Sequence, residues 1–465
     1  MSRKLITFFA AVLIAGLSIP AFSAVENVKV GGDLNIKGIY RSSFDLIDDE
    51  TLKDQQHFFY SGIRVYVSAE LTNNVSAMVR LINERDWGQI TAVGSGDLDT
   101  DINLDLAYIQ VKDIMTPGLS LTLGRQEIQI GEGLVVGSGN TIAPNTSTMA
   151  ADLSLQNAFD AIRVDYVASG APVSLFGFMA KINESYGGVV AAGTTGDITL
   201  YGVELLYKGA NFTVEPYYVA LTTTYEAPAI ENDLMTGGVR GTWNVLTIPG
   251  LDLKGEFAKQ FGNATSYTGV PSSNYAGWAG YFGATYEFAH HMKPTITVGY
   301  NYYSGDNDAI DAEEWVPVYP TGVEERIGII AYPAIFPAGE AVPITTDADF
   351  GPGVETAVQG TGLQVIKLGF GLTPVEKIQL GLTWYNLSLL KVPQGTGYRK
   401  GLGNEIDLTV DCAYTEDLSF GLAFGYLMVG DNIKDSLAGI RGIGSGGPKN
   451  SQNPWEVIVS VTLTF

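Results

Sequence analysis

The chain has 465 residues, with 50 Asp and Glu against 27 Lys and Arg, a formal net charge of −23, and only 17% charged residues overall. This acidic balance leaves no nucleic-acid partner to expect, and 46% hydrophobic residues are too many for a disordered chain. The single cysteine, Cys412, excludes an intramolecular disulfide.

The first 23 residues predict a secretory signal peptide: Arg3 and Lys4, an apolar run from Leu5 to about Leu17, then the small-residue stretch Ala21-Phe22-Ser23. The run is shorter than the ~18 apolar residues of a membrane-spanning helix, and no later stretch reaches that length. Residues 24–465 then form one expected unit, with 24 Tyr, 20 Phe, 6 Trp and 56 Gly. Many aromatics, many glycines and short alternating segments point to an all-β fold, a transmembrane antiparallel β-barrel in a Gram-negative outer membrane.

In chain order, alternation predicts eighteen strands: 27–41, 60–71, 75–86, 101–112, 118–130, 157–168, 172–182, 197–208, 211–222, 236–246, 250–261, 276–288, 294–304, 361–373, 376–389, 403–414, 418–428 and 454–465. Each suits a tilted strand crossing the hydrocarbon layer, which takes ~9 to 11 residues. In "GIRVYVSAEL", for example, Ile63, Val65, Val67 and Ala69 share one face, and Arg64, Tyr66, Ser68 and Glu70 the other. The intervening connections alternate in length. "TNN", "DIMTPG", "SGAP", "KGAN", "LTIPG", "AHHMKP", "TPVE" and "TEDL" are the short set, as periplasmic turns would be, and the loops between them are nearly all longer, as extracellular loops would be.

An even strand count puts both termini in the periplasm and requires the last strand to pair with the first. Trp455, Val457, Val459, Val461, Leu463 and Phe465 share one face of the last; Val28, Val30, Leu34, Ile36 and Tyr40 share one face of the first. Closure leaves no sheet edge for lipid to satisfy. Expected partners are outer-membrane lipid and lipopolysaccharide, together with the outer-membrane assembly machinery, which would read the strand ending in Phe465.

A barrel of this size encloses water. Charge on the lipid face costs a few kcal/mol near the midplane, so the charged phase of each strand is assigned inward. Arg64, Arg80, Arg163, Asp165, Arg240 and Lys367 are pore-lining on this ground, as are Arg41, Lys254, Glu70, Glu84, Asp105, Glu204, Glu256, Asp407 and Asp411. Leu119, Leu121 and Leu123 are out of phase with Ile128 and Ile130, which predicts a one-residue slip near Gly124 that would carry Arg125, Glu127 and Gln129 into the lumen. Two readings stay open: these charges pair across neighbouring strands, or the guanidinium groups form a track for carboxylates.

The loop from about 305 to 360 holds eleven Asp or Glu against Arg326, and is also rich in Pro and apolar residues. It either folds into the mouth as a constriction or projects outward. Its "GDNDAIDAEE" is a candidate for calcium, without the glycine and ligand spacing of an EF-hand. No cofactor or metal is expected elsewhere. The histidines, His57, His290 and His291, lie in an outer loop and a periplasmic turn, away from any nucleophile or metal-spaced partner. An enzyme is therefore not expected.

The segment "LTLGRQEIQIGEGLVVGS", followed by "NAFDAIRVDY", resembles the alginate-export family of outer-membrane porins. The matching residues are Gly124, Arg125, Gln126, Gly131, Gly133, Phe159, Asp160 and Arg163, with Ala161 and Ile162 in place of the family's usual Gly and Val. The later "GNEIDLTVDCAYTEDLSFGLAFGYLMVGD" is similar to the family's late segment through Gly403, Glu405, Asp407 and the Gly430-Asp431 turn. The resemblance implies an 18-stranded barrel with an arginine-rich pore passing an anionic polysaccharide, with Arg125 and Arg163 as lumen arginines. Within transport, a polysaccharide exporter and a porin for small solutes both remain. The rival outside transport is a structural or adhesive barrel with a plugged lumen and acidic loops that bind cations or a partner.

Overall fold

The computed structural model describes residues 26–44, 46, 48, 55–88, 102–137, 151–184, 195–226, 229–264, 273–306, 312–335, 361–392, 397–437 and 450–465. The predicted signal peptide and residues 307–311 and 336–360 of the acidic loop lie outside them.

The chain forms β1 (Glu26–Ser42), β2 (Gln55–Thr72), β3 (Val75–Asp86), β4 (Asn103–Val111), β5 (Leu119–Glu127), β6 (Ala158–Val167), β7 (Val173–Asn183), β8 (Thr195–Lys208), β9 (Phe212–Glu226) and β10 (Ala229–Asn244). It continues with β11 (Leu251–Ala264), β12 (Ser273–Asn274), β13 (Trp278–Glu287), β14 (Thr295–Tyr303), β15 (Thr361–Val375), β16 (Ile378–Lys391), β17 (Gly401–Ala413), β18 (Leu418–Val429) and β19 (Trp455–Thr464). β12 is a two-residue piece that extends the pairing of β13 with β11, so the barrel has eighteen staves, all antiparallel. Three short helices lie in the connections: α1 (Val323–Ile327), α2 (Ala331–Ile335) and α3 (Asp431–Leu437).

The barrel closes where β1 meets β19, in register from Asp33 opposite Thr464 to Ser42 opposite Trp455. Phe465 completes the seam, its N–H donating to the Gly32 carbonyl (3.0 Å) and its carbonyl accepting from the Gly32 N–H (2.9 Å). Exposed apolar side chains recur at every second position, as at Ile162, Val164 and Tyr166, or Ile366, Leu368 and Phe370. They also match across ladders, since Val298 stands opposite Ala284 and Leu368. This continuous apolar outer face is what hydrocarbon requires.

Two expectations are corrected. The outer loop expected at 223–235 is largely strand: β9 and β10 pair up to Glu226 opposite Ala229, leaving only residues 227–228 between them. The slip expected within β5 is absent. β5 runs in unbroken register with β4 and β6 through Gly124, and the irregularity falls on β4, where Asp105 is squeezed out between the pairs Arg80–Leu106 and Leu81–Leu104. Ile128 and Ile130 are out of phase because the strand has ended at Glu127; both are buried inside the barrel. Gly124 does matter, with φ at +118° and a would-be Cβ only 2.2 Å from the Ala107 carbonyl oxygen.

The described part of the 305–360 loop, residues 312–335, folds inward and packs on residues 128–137. The two segments pair in parallel, with Tyr319 N–H to Val135 O (2.9 Å) and Gly137 N–H to Tyr319 O (2.8 Å). Their buried Ile128, Ile130, Leu134, Trp315, Ile327 and Ile330 form one apolar core with wall residues drawn from β6 to β18, including Phe159, Leu200, Tyr217, Tyr303, Val365, Tyr385 and Leu427. Among the described residues, none from β1–β5 or β19 belongs to that core. The apolar content that made this loop unusual is what draws it inside.

Candidate functional site

An inserted loop brings backbone N–H and C=O groups that need partners. The wall supplies them from polar side chains of its inner phase. Gln260 on β11 both donates to Val316 O (2.6 Å) and accepts from Val316 N–H (2.9 Å). Asn301 donates to Arg326 O (2.9 Å). Glu405 on β17 accepts from Ile330 N–H (2.6 Å) and Ala331 N–H (2.8 Å), and Asp407 accepts from Ile329 N–H (3.2 Å). Glu204 accepts from Gly131 N–H (2.8 Å) and Glu256 from Glu132 N–H (3.3 Å). Lys367 donates to Glu325 O (2.8 Å) and so holds the inserted loop, whereas Gln129 lies within the inserted segment itself and donates to Gly131 O (3.1 Å) two residues on.

Each arginine expected in the pore is held by a carboxylate. Arg64 pairs with Asp33 (2.9 Å), which stands directly opposite it across β1 and β2. Arg80 bridges Asp105 and Glu127, both at 2.5 Å. Arg125 faces Asp160 across β5 and β6 at 3.4 Å and also donates to Asp105 O (3.2 Å). Arg163 is gripped by both oxygens of Asp165, two residues along the same strand, and its guanidinium lies 4.2 Å from the Phe176 ring centroid. Arg240 bonds Glu215 (2.6 Å) and Glu132 (2.7 Å), and Lys254 completes the cluster on Glu132 at 2.9 Å. Beside β1, Arg41 binds Glu456 and Asp152, and Glu84 collects donors from Tyr60 and residues 154–156.

Two groups are thus distinct in space. Arg64, Arg80 and Arg163 lie on β2, β3 and β6, along the arc of wall bordering or outside the inner core, whereas Arg240, Lys254 and Lys367 hold the inserted segments. Arg125, expected in the lumen through the slip, instead keeps the outward phase of Leu121 and Leu123 and stands opposite Asp160, whose neighbours Phe159 and Ala161 are the inward residues. Sequence reasoning missed Glu132, which sits between Gly131 and Gly133 in the inserted turn. It also gave Glu405 no role. The available signal for Glu405 was its register: Tyr385 and Leu427 stand opposite it, with no cation to balance it.

Burial opposes ionisation of Glu132, but hydrogen bonds from Arg240 and Lys254 outweigh it and hold its carboxyl down at about 2. Among the described residues no cluster of three His, Cys, Asp or Glu has the arrangement to hold a metal ion.

The alginate export family matches residues 26–334 of the chain. Solved structures with the same fold include Pseudomonas aeruginosa OccK2 (OpdF) in complex with glucuronate, at a TM-score of 0.55 and 10% identity, covering 95% of this chain and 99% of that one. Acinetobacter baumannii OccAB1 gives a TM-score of 0.55 at 9% identity, covering 96% and 98% of the two chains. OccAB3 from the same organism gives 0.53 at 10% identity, covering 94% and 100%. No curated protein matches the sequence. With a family match over most of its length and a closed eighteen-stave barrel, the chain belongs to the alginate export family and is a channel of the Gram-negative outer membrane.

Proposed function

We propose that this channel passes small acidic sugars of the uronate class, along the arc of wall that carries Arg64, Arg80 and Arg163. The observation that carries this reading is the inner core: residues 128–137 and 312–335 pack against wall residues of β6 to β18, which narrows the lumen and leaves Arg64, Arg80 and Arg163 beside the core and the Arg240–Lys254 cluster on its water-exposed edge. A guanidinium held by one carboxylate still has N–H donors to offer to a second. Carboxylates line the same passage, with Glu127 beside Arg80 and Asp165 beside Arg163. The glucuronate in the OccK2 complex supports the substrate class. In this reading the protein is a transporter without catalysis, residues 1–23 are removed on export, and the strand ending in Phe465 is what the assembly machinery recognises.

The family match favours a second reading, export of an acidic polysaccharide such as alginate. Single-channel recording of the full-length protein in planar bilayers separates the two. The small-solute reading expects D-glucuronate to modulate the current while glucose does not, an oligouronate to block without passing, and Arg64→Ala or Arg163→Ala to weaken the glucuronate effect about tenfold. Equal responses to glucose and glucuronate would overturn it. Passage of the oligomer from one chamber to the other would establish the export reading instead.

A further inference from the structure

The Gly131-Glu132-Gly133 turn has a backbone that is held independently of its side chain. Gly131 and Gly133 have φ of +55° and +75°; a Cβ on the first would lie 2.9 Å from the Glu256 carboxylate and one on the second 2.2 Å from the Thr321 methyl. With Glu204 and Glu256 holding the N–H groups of Gly131 and Glu132, the turn is anchored without any help from the Glu132 side chain. That side chain reaches between two wall cations, Oε1 to Arg240 Nη2 at 2.7 Å and Oε2 to Lys254 Nζ at 2.9 Å. The pair is open to water, since Glu132 is 29% and Lys254 50% exposed.

The site also has donors that are not fully used. The Tyr281 hydroxyl lies beside Glu132 and Arg240 on a residue 9% exposed, and neither it nor Arg240 Nε makes a hydrogen bond of ordinary geometry to any described residue. Buried donors left in this condition are costly unless something else uses them. A carboxylate flanked by hydroxyls, as in a uronate, would engage both cations and these spare donors together. Glu132 supplies the charge but, tethered to its turn, not the hydroxyls.

We propose that Arg240, Lys254 and Tyr281 form a carboxylate-binding subsite for an acidic sugar, and that Glu132 is its built-in occupant, which yields the site by side-chain rotation when the solute arrives. This rests on the acidic-sugar reading above. It assigns to Glu132 the role of an intramolecular competitor, so removing its charge strengthens solute binding.

The test is a D-glucuronate titration of single-channel current through the full-length protein, with glucose as the neutral control. Glu132→Gln is expected to lower the half-saturating glucuronate concentration about five- to tenfold, the advantage lost by a tethered competitor, and to leave glucose without effect. Lys254→Met is expected to weaken glucuronate binding both alone and together with Glu132→Gln. If the wild type responds to glucuronate and Glu132→Gln binds it equally or less well, the subsite proposal is overturned while the acidic-sugar reading stands. If no variant responds to glucuronate, the acidic-sugar reading falls and the subsite with it. Heat-modifiable mobility in detergent gels reports folding. Should Glu132→Gln fail to fold, an unchanged glucuronate constant in Lys254→Met overturns the proposal.

Discussion

Glu405→Gln tests whether the wall carboxylates dock the inserted segment. Glu405 is fully buried, and its two oxygens take the N–H groups of Ile330 and Ala331 at 2.6 and 2.8 Å. The turn fits without slack, because a Cβ on Gly328 would lie 2.6 Å from the Glu405 carboxylate and one on Gly425 would lie 2.7 Å from Ile330. Glutamine keeps one acceptor oxygen but turns an NH2 toward the second N–H. One hydrogen bond to a carboxyl oxygen is lost and one buried donor is left without an acceptor, a cost of about 2–3 kcal/mol. At 1.4 kcal/mol per factor of ten, excursions of the 328–331 turn off the wall become about 30- to 150-fold more frequent. In single-channel records these are brief steps to a higher conductance. Asp407→Asn, which affects one longer bond to Ile329 N–H (3.2 Å), should do less. A quieter channel in Glu405→Gln would refute the reasoning, because it would mean that repulsion between Glu405 and Asp407 outweighs the amide bonds.

Gly124→Ala places a side chain on backbone with φ of +118° and within 2.2 Å of the Ala107 carbonyl oxygen. It should cost at least about 1–3 kcal/mol from the backbone conformation alone, seen as a lower urea midpoint. Val298→Arg, in the middle of the apolar outer face, should cost about 2–4 kcal/mol in lipid vesicles. The neighbouring Thr297→Arg, on the other face, should be far milder; the reverse order would invert the assignment of the two faces. The Glu132 tether gives a pH prediction. Its carboxyl lies near 2 in the folded protein against an ordinary value of 4.5, so its stabilisation is fully present above about 4.5 and is lost as pH falls through about 2. Channel noise should be flat from neutral pH down to about 4.5 and rise below it, and Glu132→Gln should lack that rise.

The staves were legible because lipid imposes a strict period of two on one face, and no other feature of the chain produces that pattern over eighteen segments. β3 falls at 75–86 in both sequence and structure. Where the constraint weakens, so does legibility. Above the lipid, β9 and β10 continue through "TTTYE" and "AIEND", whose polar alternation has no apolar face to mark it. Ion pairs set by direct register, such as Asp33 with Arg64 and Asp160 with Arg125, can be read once strands are aligned. The bulge at Asp105 cannot, because it depends on β3 and β5 at once. The inner core was beyond reach for a different reason. Apolar residues at 128–136 and 315–335 show that these segments must be buried, but which wall residues receive them depends on tertiary packing.

The pairing of every expected pore arginine bears on how a channel of this kind can work. An unpaired guanidinium in a narrow passage would attract an anion strongly and release it slowly. Conduction instead needs binding strong enough to admit a solute and weak enough to let it leave. Asp33, Asp105 and Asp165 each neutralise the arginine beside them while leaving part of its N–H fork unspent. A solute carboxylate then meets a series of shared donors, each gained as the previous one is given up, and none deep enough to trap it. The same reasoning explains why acidic residues on an anion pathway need not oppose it. Removing one of them, as in Asp165→Asn, should tighten glucuronate binding and slow its release, lengthening the blocked intervals in single-channel records. Shorter intervals would show that Asp165 holds Arg163 in place for the solute and does not temper its charge.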